Sequence, residues 1–530
     1  MEPTARVADA VARRVRAGGT NLAFGHPGGE VVTLIDAFRQ AGIRFVLTHH
    51  EASAAFGAGG YAEVTGRPGA CIATLGPGAT NLVTGIASAL LERAPMLAFT
   101  GSLPESAPAG ATHQRLPLQD LFESVAKASV HLTDDDPAAA VGRAISTATA
   151  PRPGPVHLSL AADVAAREQG PAAVEPSQTQ PRPTHQDPTA VARAKDLLAR
   201  ARRPAIVVGL TAARVCGEQP IRRLATTLRA PVVVTPKAKG VVLETDPLFL
   251  GVIDMAGDPL IGEFLNGADL ILAIGCDVVE LDRRWTWTAP VIHIDEQPNT
   301  DGYYDSAEEL VGSIDQALGT LAESARRGSW SLEEIALCRA EVLDYIKPQL
   351  EHLQPWHVVE SVQRHAGPDV VATCDVGAHK MLVGQCWETH APRRFFMANG
   401  LSSMGYSIPT ALAAHLVEPT RRVVAFVGDG GLSMYLGELE TLVRTKANLT
   451  VVVFADRSLE LIRRAEQRRG VSTDSVSFEN PDFLAIGRAF GIQASEATTV
   501  HELERALTAS DRDAGVHLVA ARIDGSDYRL

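Results

Sequence analysis

Two aspartates, Asp429 and Asp456, stand 27 positions apart, and each closes an apolar run rich in β-branched residues. Val423 to Val427 leads into Gly428-Asp429-Gly430-Gly431, a segment of helical spacing follows, and Leu449 to Phe454 then runs into Ala455-Asp456. The pattern reads as strand, turn, helix, strand. In a right-handed βαβ unit both strands end on the same edge of a parallel sheet, so the two carboxylates meet there although the chain separates them. Neighbouring carboxylates call for a cation. With the Ser458 carbonyl they form an oxygen set suited to Mg2+, which commonly completes its shell with phosphate oxygens and water. Gly428, Gly430 and Gly431 let the backbone approach a bulky anion, and the helix N-terminus behind them offers free N–H groups. The predicted chemistry is the binding of a metal-bound diphosphate. Gly-Asp-Gly by itself is more often a plain surface turn; the flanking strands and the second carboxylate favour the site.

Glu51 is a second candidate. It opens a helix in which Ala52, Ala54, Ala55, Phe56, Gly57, Ala58 and Gly59 leave hardly any polar face. An average helical glutamate is a solvated surface charge, but a carboxyl group in this company is desolvated and can share a proton with a ligand nitrogen.

The elements that must position these groups alternate in type. Asn21 to Gly29 is a strand stopping at a glycine-rich loop; a helix to Ala41, a strand at 44–47 and the Glu51 helix follow. Residues 70–74 form a strand ending in Leu75-Gly76-Pro77-Gly78-Ala79-Thr80-Asn81, 96–100 form the next, and a helix is expected over 118–126. Residues 165–190 are rich in Pro and Gln without periodicity, a linker. Strands are read at 205–208, 231–235, 270–274 and 290–294, with no G-x-G-x-x-G after the first to support dinucleotide binding. Residues 296–350 are polar and read as largely helical, and a further strand at 370–373 runs into Cys374-Asp375-Val376-Gly377-Ala378-His379. The expected architecture is α/β, three consecutive doubly wound parallel-sheet domains. Their expected bounds are 1–165, 191–325 and 356–530, with a linker at 166–190 and a helical connector at 326–355.

The bulk numbers agree. With 530 residues, 45% of them hydrophobic, the chain can bury several cores. A net charge of -13 argues against nucleic acid or an anionic membrane as partner. No apolar stretch approaches the ~20 residues of a membrane span, and the N-terminus reads as an amphipathic helix rather than a signal peptide. Six scattered cysteines fit reduced thiols, and the expected location is cytoplasmic.

The motifs resemble those of the thiamine diphosphate-dependent superfamily of acetolactate synthases and pyruvate decarboxylases, and most resemble acetolactate synthase-like proteins. His50-Glu51, Tyr61-Ala62, Thr65-Gly66-Arg67-Pro68-Gly69 and Gly76-Pro77-Gly78 with Asn81 match its first signature. Gly428-Asp429-Gly430 with Ala455-Asp456 matches its second, Asp456 standing where the family has its metal-binding Asn. Catabolic, flavin-free acetolactate synthases also carry Asp there, and their Glu-Leu-Glu-Thr and Lys-Ala-Asn segments recur at 438–441 and 446–448.

The resemblance implies pyrimidine-binding, central and diphosphate-binding domains in that order, with thiamine diphosphate and Mg2+ as cofactors. By the match, Glu51 bonds the pyrimidine nitrogen, Gly377 and His379 lie at the diphosphate, Met404 wedges between the cofactor rings, and the Ser402 carbonyl accepts from the aminopyrimidine. Gly28, Gly76, Gly78, Asn81 and Leu461 complete the implied cofactor set, and His113 and Gln114 are the implied substrate-facing residues. Of the Arg-Phe-Asp-Asp-Arg segment of flavin-containing relatives only Asp282-Arg283 remains, which leaves FAD without support; Arg283 reads more readily as a solvated arginine than as a contact to a substrate carboxylate.

Pyruvate decarboxylases of this superfamily carry acids at the positions of Gly29 and Ile462. Without an acid in reach, protonation loses its usual ~100-fold or greater assistance, so carboligation of a 2-oxo acid, pyruvate, to a second carbonyl is expected. A non-oxidative decarboxylase, a specialised acyl transferase and a non-catalytic scaffold remain as alternatives. The resemblance further implies a homodimer or homotetramer with active sites at the subunit interface.

Overall fold

The computed structural model of the chain describes residues 5–530 except 105, 109, 134, 135, 169–185, 281, 473 and 513. The expected linker falls for the most part outside the described residues.

Three six-stranded sheets follow one another along the chain, and every pairing between their strands is parallel. The first runs Arg44–Leu47, Leu22–His26, Gly69–Ala73, Met96–Ser102, Pro155–Ala161, Ala128–Leu132 in space. The third repeats that order with Phe395–Met397, Val371–Cys374, Val423–Gly428, Leu449–Ala455, Val516–Arg522, Gln493–Ala497. In both, the strand order reverses between the first and third strands in sequence. That crevice, outside the carboxyl ends of the strands, is where ligands bind in open α/β sheets. His26 and Gly28 lie there in the first sheet, and Asp375, His379 and Asp429 in the third. The middle sheet differs: its order counts 3-2-1-4-5-6 around Pro204–Val208.

Between the first and third sheets one core is shared, built on helices Glu51–Thr65 and Ser407–Val417. The first of these is buried over nearly its whole length. Glycine inside a helix costs about 1 kcal/mol relative to Ala, but here it buys close approach: a Cβ at Gly60 would lie 2.8 Å from the Thr410 backbone of the other helix, and one at Gly57 2.9 Å from the Phe24 ring.

A buried ionic cluster joins the three units. Lys237 Nζ lies 2.5 Å from both Glu63 Oε1 and Glu92 Oε2, and Tyr406 donates its hydroxyl to Glu63. Lys237, together with Arg214 at 3.4 Å from Glu63 Oε1, offsets two carboxylates that would otherwise be stranded away from water.

The structure adds strands that periodicity does not reveal. Glu308–Val311 lies inside the stretch read as polar and helical, and Ala128–Leu132 and Gln493–Ala497 are likewise new. All are edge strands, half-exposed along most of their length, so they need no apolar run to hold their place. The helix expected over 118–126 ends at Glu123.

Candidate active site

Strand Val423–Gly428 pairs directly with Leu449–Ala455, Gly428 opposite Phe454, so Asp429 and Asp456 leave neighbouring strands at one edge. Asp429 Oδ2 accepts from Arg457 N at 2.7 Å and its Oδ1 from Gly430 N at 2.8 Å; Asp456 Oδ1 accepts from Ser458 N at 3.0 Å. Burial raises the pKa of Asp429, and burial together with the Asp429 charge pushes Asp456 up to about 7. A cation would reverse both effects.

Beside them the backbone opens into a cradle. A Cβ at Gly428 would lie 3.1 Å from the His379 ring, one at Gly430 3.3 Å from Met404 Cε, and one at Gly431 2.4 Å from Asp375 Oδ2. His379 stacks on Phe454 at 5.2 Å, burial holds it neutral by lowering its pKa to about 3, and its Nε2 is buried without a hydrogen-bond partner. A buried polar nitrogen costs roughly 1–3 kcal/mol when left unpaired. The orphaned nitrogen, the glycine cradle and the paired carboxylates fit an anion held through a divalent cation. Among the described residues no three His, Cys, Asp or Glu side chains converge, so such an ion takes its other ligands from backbone, phosphate or water oxygens. Ser458 is in place on the loop that leaves Asp456, and Leu461 lies one turn on in helix Glu460–Arg469, half-buried against the core.

The turn Asn399–Tyr406 carries Ser402 and Met404 to this cradle. Glu92 Oε1 accepts from Asn399 N and Gly400 N at 2.7 and 2.8 Å, and Asp375 accepts from Gly405 N at 2.9 Å and Tyr406 N at 3.3 Å. Ser402 sits at φ 51°, in the left-handed region.

In the first unit the His50 side chain caps the helix by accepting from Ala52 N, and Glu51 is 7% exposed. Asn81 Nδ2 donates to Glu51 Oε2 at 2.9 Å, and a Cβ at Gly78 would lie 3.4 Å from the other carboxylate oxygen. Gly76 adopts φ 64°, where its missing side chain leaves room for Gln114. Gln114 is therefore brought to this loop, whereas His113 is exposed. Gly28 packs on Thr74, whose hydroxyl donates to Glu30 at 2.6 Å. Among the described residues no hydrogen bond joins Glu51 to Asp429 or Asp456 within one chain. The start of its helix is nonetheless pinned to the third unit, because Glu438 Oε1 accepts from His49 N and His50 N at 3.0 Å.

Family models described as thiamine pyrophosphate enzyme N-terminal, central and C-terminal domains match residues 5–123, 191–321 and 375–521. The chain is 30% identical over 526 residues to a probable acetolactate synthase large subunit of Methanocaldococcus jannaschii, covering 94% of this chain and 89% of the relative. The chain belongs to the thiamine pyrophosphate-dependent enzymes. It is 31% identical to the acetolactate synthase isozyme 2 large subunit of Escherichia coli, covering 97% of this chain and 95% of the relative. It is 30% identical to a catabolic acetolactate synthase of Raoultella terrigena, covering 99% and 96%.

Some groups of this thiamine pyrophosphate-dependent enzyme escape sequence reasoning. Glu63, Glu92 and Lys237 look like ordinary surface charges, since no local pattern announces a contact between units. Arg283, read from sequence more readily as a solvated arginine than as a contact to a substrate carboxylate, has a largely exposed side chain and pairs with Asp258 and Asp254. A cavity of about 310 Å³ between the first and middle units is lined by Asp277, Asp295, Glu296 and Tyr304 among others. Two of its arginines are engaged: Arg93 holds Asp277 through two bonds of 2.9 Å, and Arg152 holds Asp301 at 2.6 Å.

Proposed function

We propose that this enzyme uses thiamine diphosphate and Mg2+ to decarboxylate a 2-oxo acid, with pyruvate as donor, and to join the resulting acyl unit to a second carbonyl, as an acetolactate synthase does. The observation that carries the carboligase reading is the chemistry of two positions: Gly29, around whose absent Cβ nothing lies within 4 Å, and the exposed Ile462 offer no acid to protonate the reacting carbon.

In this reading Asp429, Asp456 and the Ser458 carbonyl hold the metal, and His379 Nε2 with the Gly428–Gly431 backbone holds the diphosphate. Gly28, Gly76, Gly78, Gly377, Ser402, Met404 and Leu461 complete the cofactor site. Glu51, oriented by Asn81, gives and takes a proton at a ring nitrogen. Gln114, at the Gly76 loop, faces the substrate, and the exposed His113 is left without that role. When bound, the cofactor supplies an electron sink for the carbon–carbon bond that breaks; the apolar surroundings of Glu51 exclude water. By the family resemblance the enzyme assembles with twofold symmetry, Glu51 of one protomer meeting the metal site of its partner, as a homodimer or a homotetramer in the cytoplasm.

FAD is not part of the proposal. Glu280 accepts from Leu210 N at 2.7 Å, occupying the helix start where a nucleotide phosphate would dock.

Incubation with pyruvate, Mg2+ and thiamine diphosphate is expected to release one carbon dioxide per acetolactate formed. Acetaldehyde as sole product would replace this reading with a simple decarboxylase, and no cofactor binding by calorimetry would point to a non-catalytic scaffold.

A further inference from the structure

Resting on the thiamine diphosphate site proposed above, we infer that Lys380 is a positioning residue for the turn Asn399–Tyr406, acting through the Ser402 hydroxyl. Lys380 belongs to helix Ala378–Cys386, immediately after His379, and is 4% exposed. Among the described residues its ammonium makes no ion pair, and its hydrogen bond goes to Ser402 Oγ at 3.3 Å. Ser402 Oγ in turn donates to Asn399 O at 2.7 Å, which leaves its lone pairs to accept from the lysine.

The turn is staked at both ends by buried carboxylates, Glu92 at Asn399 and Gly400, Asp375 at Gly405 and Tyr406. Between those stakes Ser402 is held at φ 51°, a conformation that residues other than glycine enter only at a cost. The chain Lys380–Ser402–Asn399 braces that residue. Met404, two residues on, lies against Gly430, so a relaxed Ser402 would shift the side chain that meets the Gly-Asp-Gly turn.

A buried ammonium without a counter-charge is expensive, and an apolar side chain would serve the fold better. Burial lowers the Lys380 pKa, opposed by the charges of Asp282 and Glu92 and reinforced by Lys237. The lysine therefore works against stability while supplying an N–H donor to one hydroxyl at the cofactor site.

A double-mutant cycle tests the brace: Lys380→Met, Ser402→Gly and the double variant, each with Mg2+. Three readouts apply, the thiamine diphosphate dissociation constant by tryptophan fluorescence, the circular dichroism of the bound cofactor, and kcat against KM for pyruvate. Thermal melting checks that each variant folds; Ser402→Gly relieves the left-handed strain. On the wild-type background Lys380→Met is expected to weaken cofactor binding about tenfold, in line with loss of a charge-assisted hydrogen bond, and to alter the dichroism. In the Ser402→Gly background the same change is expected to cost less than about twofold, because the acceptor is gone. Lys380→Arg, which keeps a charged donor, recovers most of the affinity. Additive effects, or a rise in KM for pyruvate with cofactor affinity and dichroism unchanged, overturn the inference; the second outcome would make Lys380 a substrate contact. A wild-type chain that binds no thiamine diphosphate overturns the functional reading and this inference with it, whereas additive variants of a binding-competent chain overturn this inference alone.

Discussion

Asn81 Nδ2 donates to Glu51 Oε2 at 2.9 Å across two helices of the first unit. One carboxylate oxygen is thereby fixed, and the other lies against the bare Gly78 backbone. The arrangement orients a carboxyl group whose helical neighbours are mostly small and apolar, and it leaves one oxygen free for a partner from outside the chain. Glu51→Gln is expected to lower kcat by roughly 10²- to 10⁴-fold, the usual range for a positioned acid–base group, with cofactor affinity changed only a few-fold. Steady-state kinetics beside calorimetric titration would decide it; near-normal turnover would remove Glu51 from the chemistry.

Asp456 and Asp429 repel each other in the absence of a cation, and burial amplifies the effect. Asp456→Ala is expected to raise the Mg2+ concentration for half-maximal activity by roughly 10- to 100-fold or more, the scale on which metal-site changes act. Chelation should abolish wild-type activity and excess Mg2+ restore it. Activity indifferent to both treatments would rule out the proposed metal site.

Gly29 has open space where a side chain would go, so an acid can be placed there without displacing a neighbour. Gly29→Asp should divert product from the ligated acid toward free aldehyde, because a carboxyl group in reach assists protonation by ~100-fold or more. Chromatographic analysis of products from pyruvate gives the ratio. An unchanged ratio would argue that position 29 does not face the reacting carbon.

His157 lies in the core of the first unit, bonded to Thr100 at 2.9 Å and Ser129 at 2.7 Å and stacked on Phe122. Burial lowers its pKa from 6.5 to about 3. Between those values the unfolded chain binds a proton that the folded chain refuses, so the stability contributed by His157 is present above pH 6.5 and is lost as pH falls toward 3. The slope is at most about 1.4 kcal/mol per pH unit. His157→Gln should be less stable than wild type at pH 7, and the gap should narrow with acidification in urea melts. A gap constant between pH 7 and pH 4 would contradict the assignment.

What local sequence determined here is the chemistry carried by backbone and strand pattern. The Gly-Asp-Gly turn after a β-branched run, the second aspartate at the end of the next run and the apolar flank of Glu51 are short-range signals, because the hydrophobic period and the glycine positions act within a dozen residues. They sufficed for three α/β units and for the meeting of Asp429 with Asp456, since a parallel crossover has essentially one hand. What only the tertiary structure decided are contacts between residues far apart in the chain. Glu63, Glu92 and Lys237, with Tyr406, close a buried cluster across three units, Gln114 rather than His113 reaches the Gly76 loop, and Arg283 is drawn to Asp258. The edge strands belong to the same class, for Ala128–Leu132 and Glu308–Val311 are held by pairing to a neighbour and not by an apolar pattern of their own. Charges and edge strands take their meaning from whatever the fold sets against them, and nothing in their immediate sequence records that partner.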